Sequence, residues 1–145
     1  MRHFIAYHNT EKMGYPLRFD GDFRFHTNKS GTFLEKSIGG RLWVITGKFN
    51  GKNGSRDYRL VACFTPRQVR VSDRGSFKFQ VVGRKGYEFR DPPVLDDWKW
   101  FPRLKKSSGN FAFGCHAIRS QKAISGLIKI RSKSKFYPPH DLSKN

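Results

Sequence analysis

The sequence predicts a mainly β fold with short helices (α+β), arranged as a small barrel or sandwich. Short segments rich in aromatic and β-branched residues recur along the chain, and turns containing Gly, Asn, Asp and Pro separate them. Aromatic residues make up 15% of the chain and include 14 Phe, which indicates a core rich in rings. The length of 145 residues fits one domain whose core is large enough to fold without disulfides.

Six segments have the composition of strands. They lie near residues 3–8, 23–27, 41–49, 57–64, 77–82 and 110–115. The third and fourth are joined by "NGKNGSRD", which contains Asn-Gly twice and therefore predicts a hairpin. In "GRLWVITGKF", Leu42 and Val44 fall on one face and Trp43 and Ile45 on the other, so both faces are apolar and the strand should be central. Trp43 is then expected in the core rather than facing a ligand.

The later part of the chain contains the helical signals. Apolar residues at helical spacing between Ile118 and Ile128, with Ser120 as an N-cap, predict a helix over 120–130, although Gly126 weakens the pattern. The segment "VLDDWKWF" forms either a short helix or a surface aromatic patch after Pro92 and Pro93. We assign a single domain to 1–133 and a basic, flexible tail, which could order on a partner, to 134–145.

Charge is the strongest functional signal. There are 29 Lys plus Arg against 11 Asp plus Glu, a formal net charge of +18 that is spread through the chain. A polyanion is the expected partner, and the alternative is that the charge only keeps the protein soluble. No apolar run approaches the roughly 18 residues of a spanning helix, so nucleic acid is favoured over a membrane. The first residues lack the apolar segment of a signal peptide, which favours a cytoplasmic location.

The usual catalytic and metal-binding motifs are missing from the sequence. Cys63 and Cys115 lie in apolar stretches and are expected to be buried thiols in a reducing compartment. Histidines are scattered, and P-loop, dinucleotide and zinc-protease patterns are absent. We therefore expect no metal and no cofactor. A metal-independent nuclease that uses His8 and His26 as general base and acid remains an alternative, although a role without catalysis is favoured.

Aromatic residues interleaved with cations indicate a nucleic-acid contact surface. In "DWKWFPRLKK", Trp98 and Trp100 could stack on bases while the adjacent cations hold phosphates; the alternative is that the tryptophans pin the connector to the core. The expected phosphate-binding residues are Lys29, Lys48, Arg84, Lys85, Lys99, Arg103, Lys105 and Lys106.

Short polar side chains follow the first two strands. The first strand ends in Tyr7, His8 and Asn9, and "RFHTNKSG" places His26, Thr27 and Asn28 at the end of the second. Such side chains can read a base edge or grip a phosphate, but they also suit ordinary turns. In that second interpretation Tyr7 packs, and His8 and Asn9 cap a turn.

The order of four segments resembles a known family. "AYHNTEKMGYPL", "FHTNKSG", "GGRLWVITGKFNGKNGSRDYRLVACF" and "GNFAFGCHAI" before a short helix look like the small PUA-like (EVE-type) domains of bacterial restriction and modification systems, which occur alone or fused to nucleases. The resemblance covers most of residues 3–130, and 66–105 is the least comparable part.

The resemblance implies a PUA-like pseudo-barrel of mostly antiparallel strands, which binds nucleic acid and holds a flipped, modified base in an aromatic-lined pocket. The residues it assigns to that pocket are Tyr7, His8 and Asn9, with His26, Thr27 and Asn28 opposite and Trp43 at the floor or in the core. No nuclease module follows in this chain, so a cleavage role for the chain alone is in doubt and a separate nuclease is a possible partner.

The sequence therefore leads to a first hypothesis and two alternatives. The first is a reader of a modified base in nucleic acid, DNA rather than RNA. The alternatives are the nuclease with His8 and His26, and a basic structural component of a ribonucleoprotein.

Overall fold

The computed structural model describes residues 1–8, 18–19, 22–50, 55–111 and 114–138, with backbone alone at 18–19, 48–50 and 55–56. The strands are β1 (His3–Tyr7), β2 (Arg18–Phe19), β3 (Asp22–Thr27), β4 (Arg41–Asn50), β5 (Ser55–Val71), β6 (Phe79–Glu88) and β7 (Cys115–Ile118). The helices are α1 (Gly31–Glu35), α2 (Phe101–Ser107) and α3 (Gln121–Lys133), with a 3-10 turn at Gly109–Phe111. The prediction of a mainly β fold with short helices is confirmed.

The strands form one mixed sheet in the order β2-β3-β6-β5-β4-β1-β7. Every neighbouring pair is antiparallel except β1 and β4, which run parallel. The predicted hairpin between β4 and β5 is confirmed by their pairing down to Asn50 opposite Ser55, while its turn, 51–54, lies outside the described residues. Within the described residues the sheet is open, because its order begins at β2 and ends at β7.

Strand β5 has 17 residues and belongs to both halves of this sheet. Its first part pairs with β4 and its second part with β6. The register shifts between Cys63 and Thr65 and again between Pro66 and Gln68. Such bulges bend a strand and increase its twist, and they tolerate a proline, which cannot donate a ladder hydrogen bond. The sheet therefore curls around β5.

Both faces of the central strands are buried, as predicted for β4. Trp43 and Ile45 face α2 and α3 in one cluster, which we call the helix-side core, whereas Leu42 and Val44 face the inside of the curl. The inner cluster also takes Phe25 from β3. Each fully buried Leu or Phe side chain contributes about 1.5–3 kcal/mol, so the two clusters supply most of the packing energy. Cys63 and Cys115 are buried free thiols, as predicted.

The ends of several elements differ from the prediction. The strands predicted at 57–64 and 77–82 are longer and reach Val71 and Glu88. The strand predicted at 110–115 is wrong, because β7 begins only at Cys115. Asn110 and Phe111 have φ values of 56° and 63°, and two successive left-handed residues place 109–111 in a 3-10 turn instead of an extended strand. Strand β2 and helix α1 were not predicted.

The helix predicted over 120–130 is confirmed as α3. The Ser120 hydroxyl accepts a hydrogen bond from the Ala123 amide at 3.2 Å, which is the predicted N-cap. The "VLDDWKWF" segment is mostly turns, and α2 begins at its last residue, Phe101. No helix within the described ranges has the length and apolar character needed to cross a membrane.

The first part of the predicted tail packs on the sheet. Phe136 forms a β-bridge with Phe89, and the centroids of the two rings are 5.0 Å apart. Phe136 is partly buried against the helix-side core. This contact places 134–138 beside the domain, and 139–145 lie outside the described residues.

Gly126 allows α3 to pack on the indole of Trp100. A Cβ atom at position 126 would lie 2.1 Å from Trp100 Nε1. Alanine is better than glycine in a helix by about 1 kcal/mol, but this overlap would force the indole from its site, and such overpacking costs about 1–3 kcal/mol. We expect Gly126→Ala to lower the free energy of unfolding, measured by urea denaturation.

The matched control is Ser125→Ala at the adjacent exposed position of α3. When Trp100 is first replaced by alanine, Gly126→Ala should lower the free energy of unfolding by less than it does when Trp100 is present, because the overlap with the indole is gone. Equal effects of Gly126→Ala in both backgrounds would contradict the assigned contact.

Candidate functional site

A pocket of about 380 Å³ lies where the ends of β1 and β3 face the loop before β7. The aromatic side chains that line it, within the described part of the chain, are Tyr7, Phe25, Phe77 and Phe111. The other lining residues are His26, Thr27, Asn28, Lys29 and Gly114. Four separate parts of the chain therefore meet at one cavity: β1, β3 with its following turn, the β5–β6 turn, and the loop before β7.

The pocket lies in the gap between β3 and the loop before β7, two segments that do not pair as strands. The Tyr7 amide donates a hydrogen bond to the Gly114 carbonyl at 2.7 Å, tying this loop to β1. Gly114 has a φ of 81°, and a Cβ there would lie 3.7 Å from Phe25 Cζ and 3.8 Å from Thr27 Oγ1. Glycine thus allows the left-handed turn and leaves the space beside β3 open.

The rings of the pocket are held by further aromatic contacts. The Tyr7 ring lies edge-on to Tyr58, with the centroids 6.3 Å apart, and its hydroxyl donates to the Gly47 carbonyl at 3.4 Å. The centroid of the Phe111 ring lies 5.4 Å from that of the Tyr58 ring. Tyr58 is itself buried, so it connects two walls of the pocket to the helix-side core. Such packing keeps the walls in place before a ligand binds.

His26 and Asn28 hold the β5–β6 turn against β3. His26 Nδ1 lies in hydrogen-bond contact with Ser72 Oγ at 2.7 Å. The Asn28 amide accepts from the Lys78 backbone at 2.9 Å and donates to the Ser76 carbonyl at 3.2 Å. These bonds fix the turn that carries Phe77. The two side chains therefore shape the pocket by positioning its aromatic wall.

The lining is mostly neutral near neutral pH. Burial lowers the pKa of His26; Asp73 opposes this shift, whereas Arg74 and Arg24 add to it. Thr27 is buried, and its hydroxyl accepts from the Lys29 amide at 3.1 Å. Lys29 is the one Lys or Arg among the described lining residues. The described lining thus combines rings, neutral polar groups and a cation, which suits a flat polar group attached to an anion.

The structure brings together four of the residues singled out for a pocket, namely Tyr7, His26, Thr27 and Asn28. His8 is buried and lines a different cavity. Asn9 lies outside the described residues. Of the two places expected for Trp43, the pocket floor or the core, the structure shows the core, because Trp43 is fully buried in the helix-side core and does not line the pocket. Its indole donates to His3 Nδ1 at 3.0 Å, which explains how a buried N–H is satisfied there.

Sequence reasoning missed the remaining walls, Phe25, Phe77, Phe111 and Gly114. The signal for the last two was present in "SGNFAFGC", where two glycines and an asparagine favour left-handed backbone rather than the predicted strand. Phe25 and Phe77 carry no comparable local signal. Their place depends on how β3 and the β5–β6 turn pack together.

The predicted phosphate-binding cations have different surroundings. Arg84 Nε forms an ion pair with Asp22 at 2.8 Å, and the Lys105 ammonium lies 4.8 Å from the centroid of the Tyr58 ring. Lys99 and Arg103 line a groove beside α3. The others are Lys29 in the pocket, Lys85 and Lys106 on the exposed surface, and Lys48, whose side chain is outside the described residues.

Trp98 and Trp100 pack against the helix-side core, and their ring centroids are 6.2 Å apart. Both are partly buried, and Trp100 also lines the groove with Lys99 and Arg103. The packing matches the alternative in which the tryptophans pin the connector to the core. In the part of the chain that is described, no group of three or more His, Cys, Asp or Glu side chains could hold a metal ion.

Burial, and secondarily the charge of His26, lowers the pKa of His8 from 6.5 to about 4. The unfolded chain therefore takes up a proton on His8 between these two pH values while the folded chain does not. Folding stability should be lost as the pH falls from about 6.5 to about 4, by up to about 3 kcal/mol at 1.36 kcal/mol per pH unit.

In His8→Gln the slope of unfolding free energy against pH should be smaller, measured by urea denaturation across this interval. A residual slope is expected, because burial also lowers the pKa values of His3 and His26. An unchanged slope in His8→Gln would contradict this role of His8.

Comparison of the chain with protein-family models, with curated proteins and with solved structures found no significant match.

Proposed function

We propose that this protein binds nucleic acid and reads a single base, extruded from its strand, in the pocket between β1, β3 and the loop before β7. The observation that carries the proposal is a preformed cavity lined by four rings and neutral polar groups in a chain with a net charge of +18. Phosphates account for the excess of cations, and a base accounts for the rings.

The dimensions of the pocket support this function. Its volume of about 380 Å³ falls at the small end of the 300–1,000 Å³ typical of ligand sites. Tyr7, Phe77 and Phe111 offer faces or edges for stacking. The Thr27 hydroxyl accepts from the Lys29 amide and can donate its own hydrogen to a base, and Lys29 offers a charge for an adjacent phosphate. The ligand that we propose is a modified base, carried by DNA rather than RNA.

The curl of the sheet supports a PUA-like pseudo-barrel. Its two halves are joined through the bulged β5, and β3 comes within side-chain contact distance of the loop before β7. An aromatic pocket at this gap is the arrangement that the resemblance implies.

The alternative of a nuclease that uses His8 and His26 has less support. An acid and base pair must reach the same phosphate, and its pKa values should lie near the working pH. The two imidazoles are 3% and 2% exposed and line different cavities. The pKa of about 4 also leaves His8 a weak base.

Truncation of the pocket walls tests the proposal. We expect Phe77→Ala to weaken binding of a preferred oligonucleotide by about 5- to 150-fold, because stacking contributes about 1–3 kcal/mol per base. Binding is measured by fluorescence anisotropy with plain DNA and RNA and with oligonucleotides carrying modified cytosine or adenine. The preference for one base should shrink in the same variant.

The control for Phe77→Ala is Tyr87→Ala, which removes an exposed ring on β6 outside the pocket. It should bind as the unmodified protein does. Equal affinity of all three proteins for every oligonucleotide would contradict a base-reading pocket and favour the basic structural component of a ribonucleoprotein. Cleavage that disappears in His26→Asn while binding persists would favour the nuclease.

A further inference from the structure

Two further cavities are lined by residues of α1, α2, β7 and the start of α3. One, of about 590 Å³, is bounded by α1, α2 and β7; the other, of about 730 Å³, lies between the start of α2 and the start of α3. Arg103 and Ser120 line both, so the two cavities form one continuous depression. We call it the basic trough and define it by its cations Lys99, Arg103, Arg119 and Lys122 and its rings Phe33 and Trp100.

The trough has a strongly positive lining. Among the described residues no Asp or Glu side chain lines either cavity. All four cations are exposed, and none forms an ion pair with a described carboxylate. The first turn of α3, which borders the trough, also lacks acidic residues. Four cations without acidic partners on one depression repel one another, so an anion there would relieve that repulsion.

The trough reaches the base pocket through two residues. Lys29 lines the pocket, and its ammonium lies 5.2 Å from the centroid of the Phe33 ring. Phe33 in turn lines the trough. A path of cations with interspersed rings therefore leads from the pocket, past Lys29 and Phe33, to Arg103 and on to Trp100.

We propose that the trough holds the single-stranded segment that flanks the base in the pocket, with its phosphates on Lys29, Arg103, Arg119, Lys99 and Lys122. This inference rests on the proposed function and adds to it the path of the strand and its single-stranded form. A groove that combines a row of cations with aromatic platforms is the usual design for single strands. Neither Arg119 nor Lys122 was expected from the sequence to contact phosphate.

The experiment varies the length of the ligand. Single-stranded oligonucleotides carry the preferred base at one end and are extended stepwise on its 5′ or its 3′ side, and affinity is measured by fluorescence anisotropy over a salt series. We expect extension on one side to raise the affinity until the trough is filled. The logarithm of affinity should also fall more steeply with the logarithm of salt for the extended ligand.

The test variant is Arg103→Gln/Arg119→Gln, and Lys99→Gln/Lys122→Gln is a second one. Each should lose the gain from extension, and its salt slope should fall by about 1.4 for two lost phosphate contacts on a single strand. The control is Lys129→Gln/Lys133→Gln, two exposed residues in the second half of α3, which removes the same charge outside the trough. All six positions are exposed, so folding should be unaffected.

The possible outcomes separate this inference from the proposed function. If the trough variants and the control lose the same share of the affinity gained by extension, the inference about the trough is overturned. The proposed pocket would still stand, because the shortest ligand reports on the pocket alone. A shortest ligand that binds the Phe77→Ala variant as well as the unmodified protein would overturn the pocket. Tighter binding of duplex than of the extended single strand would overturn the single-stranded form.

Discussion

The bending of β5 is the constraint on which the rest of the structure depends. Its bulges let one strand of 17 residues pair with β4 and then with β6, so two halves of a sheet share one strand. Without that bend β3 would lie far from β1. With it, Phe25 and Thr27 come beside Gly114, and the gap between them becomes a pocket rather than an open edge. The pocket is thus a consequence of backbone geometry inside the core.

Two polar side chains beside the pocket hold one of its walls in place. Asn28 and His26 bind the β5–β6 turn through Ser76, Lys78 and Ser72, and so hold Phe77 in place. Because their hydrogen-bonding groups already have partners in the protein, they are suited to positioning. This positioning role is distinct from the base-reading role that the sequence suggested for them.

The fold gives different surroundings to cations that the sequence does not distinguish. Arg84 forms an ion pair with Asp22, and the Lys105 ammonium lies over the Tyr58 ring, so both cations already interact with groups of the protein. Arg103 and Arg119 instead share a depression that no described carboxylate lines. Four of the 29 Lys and Arg residues, Lys99, Arg103, Arg119 and Lys122, therefore line the trough together.

The sequence by itself determined the fold class, the central β4, the β4–β5 hairpin and α3. Each has a local cause: alternation of apolar residues, Asn-Gly turns, and a serine N-cap before helical spacing. It also placed Tyr7 and His26 at the ends of strands. Only the tertiary structure decided that these ends meet, that Trp43 is core, and that Phe77 and Phe111 complete the walls. Such contacts join residues far apart in the chain, and they depend on the sum of bulges, packing and twist that no short segment encodes.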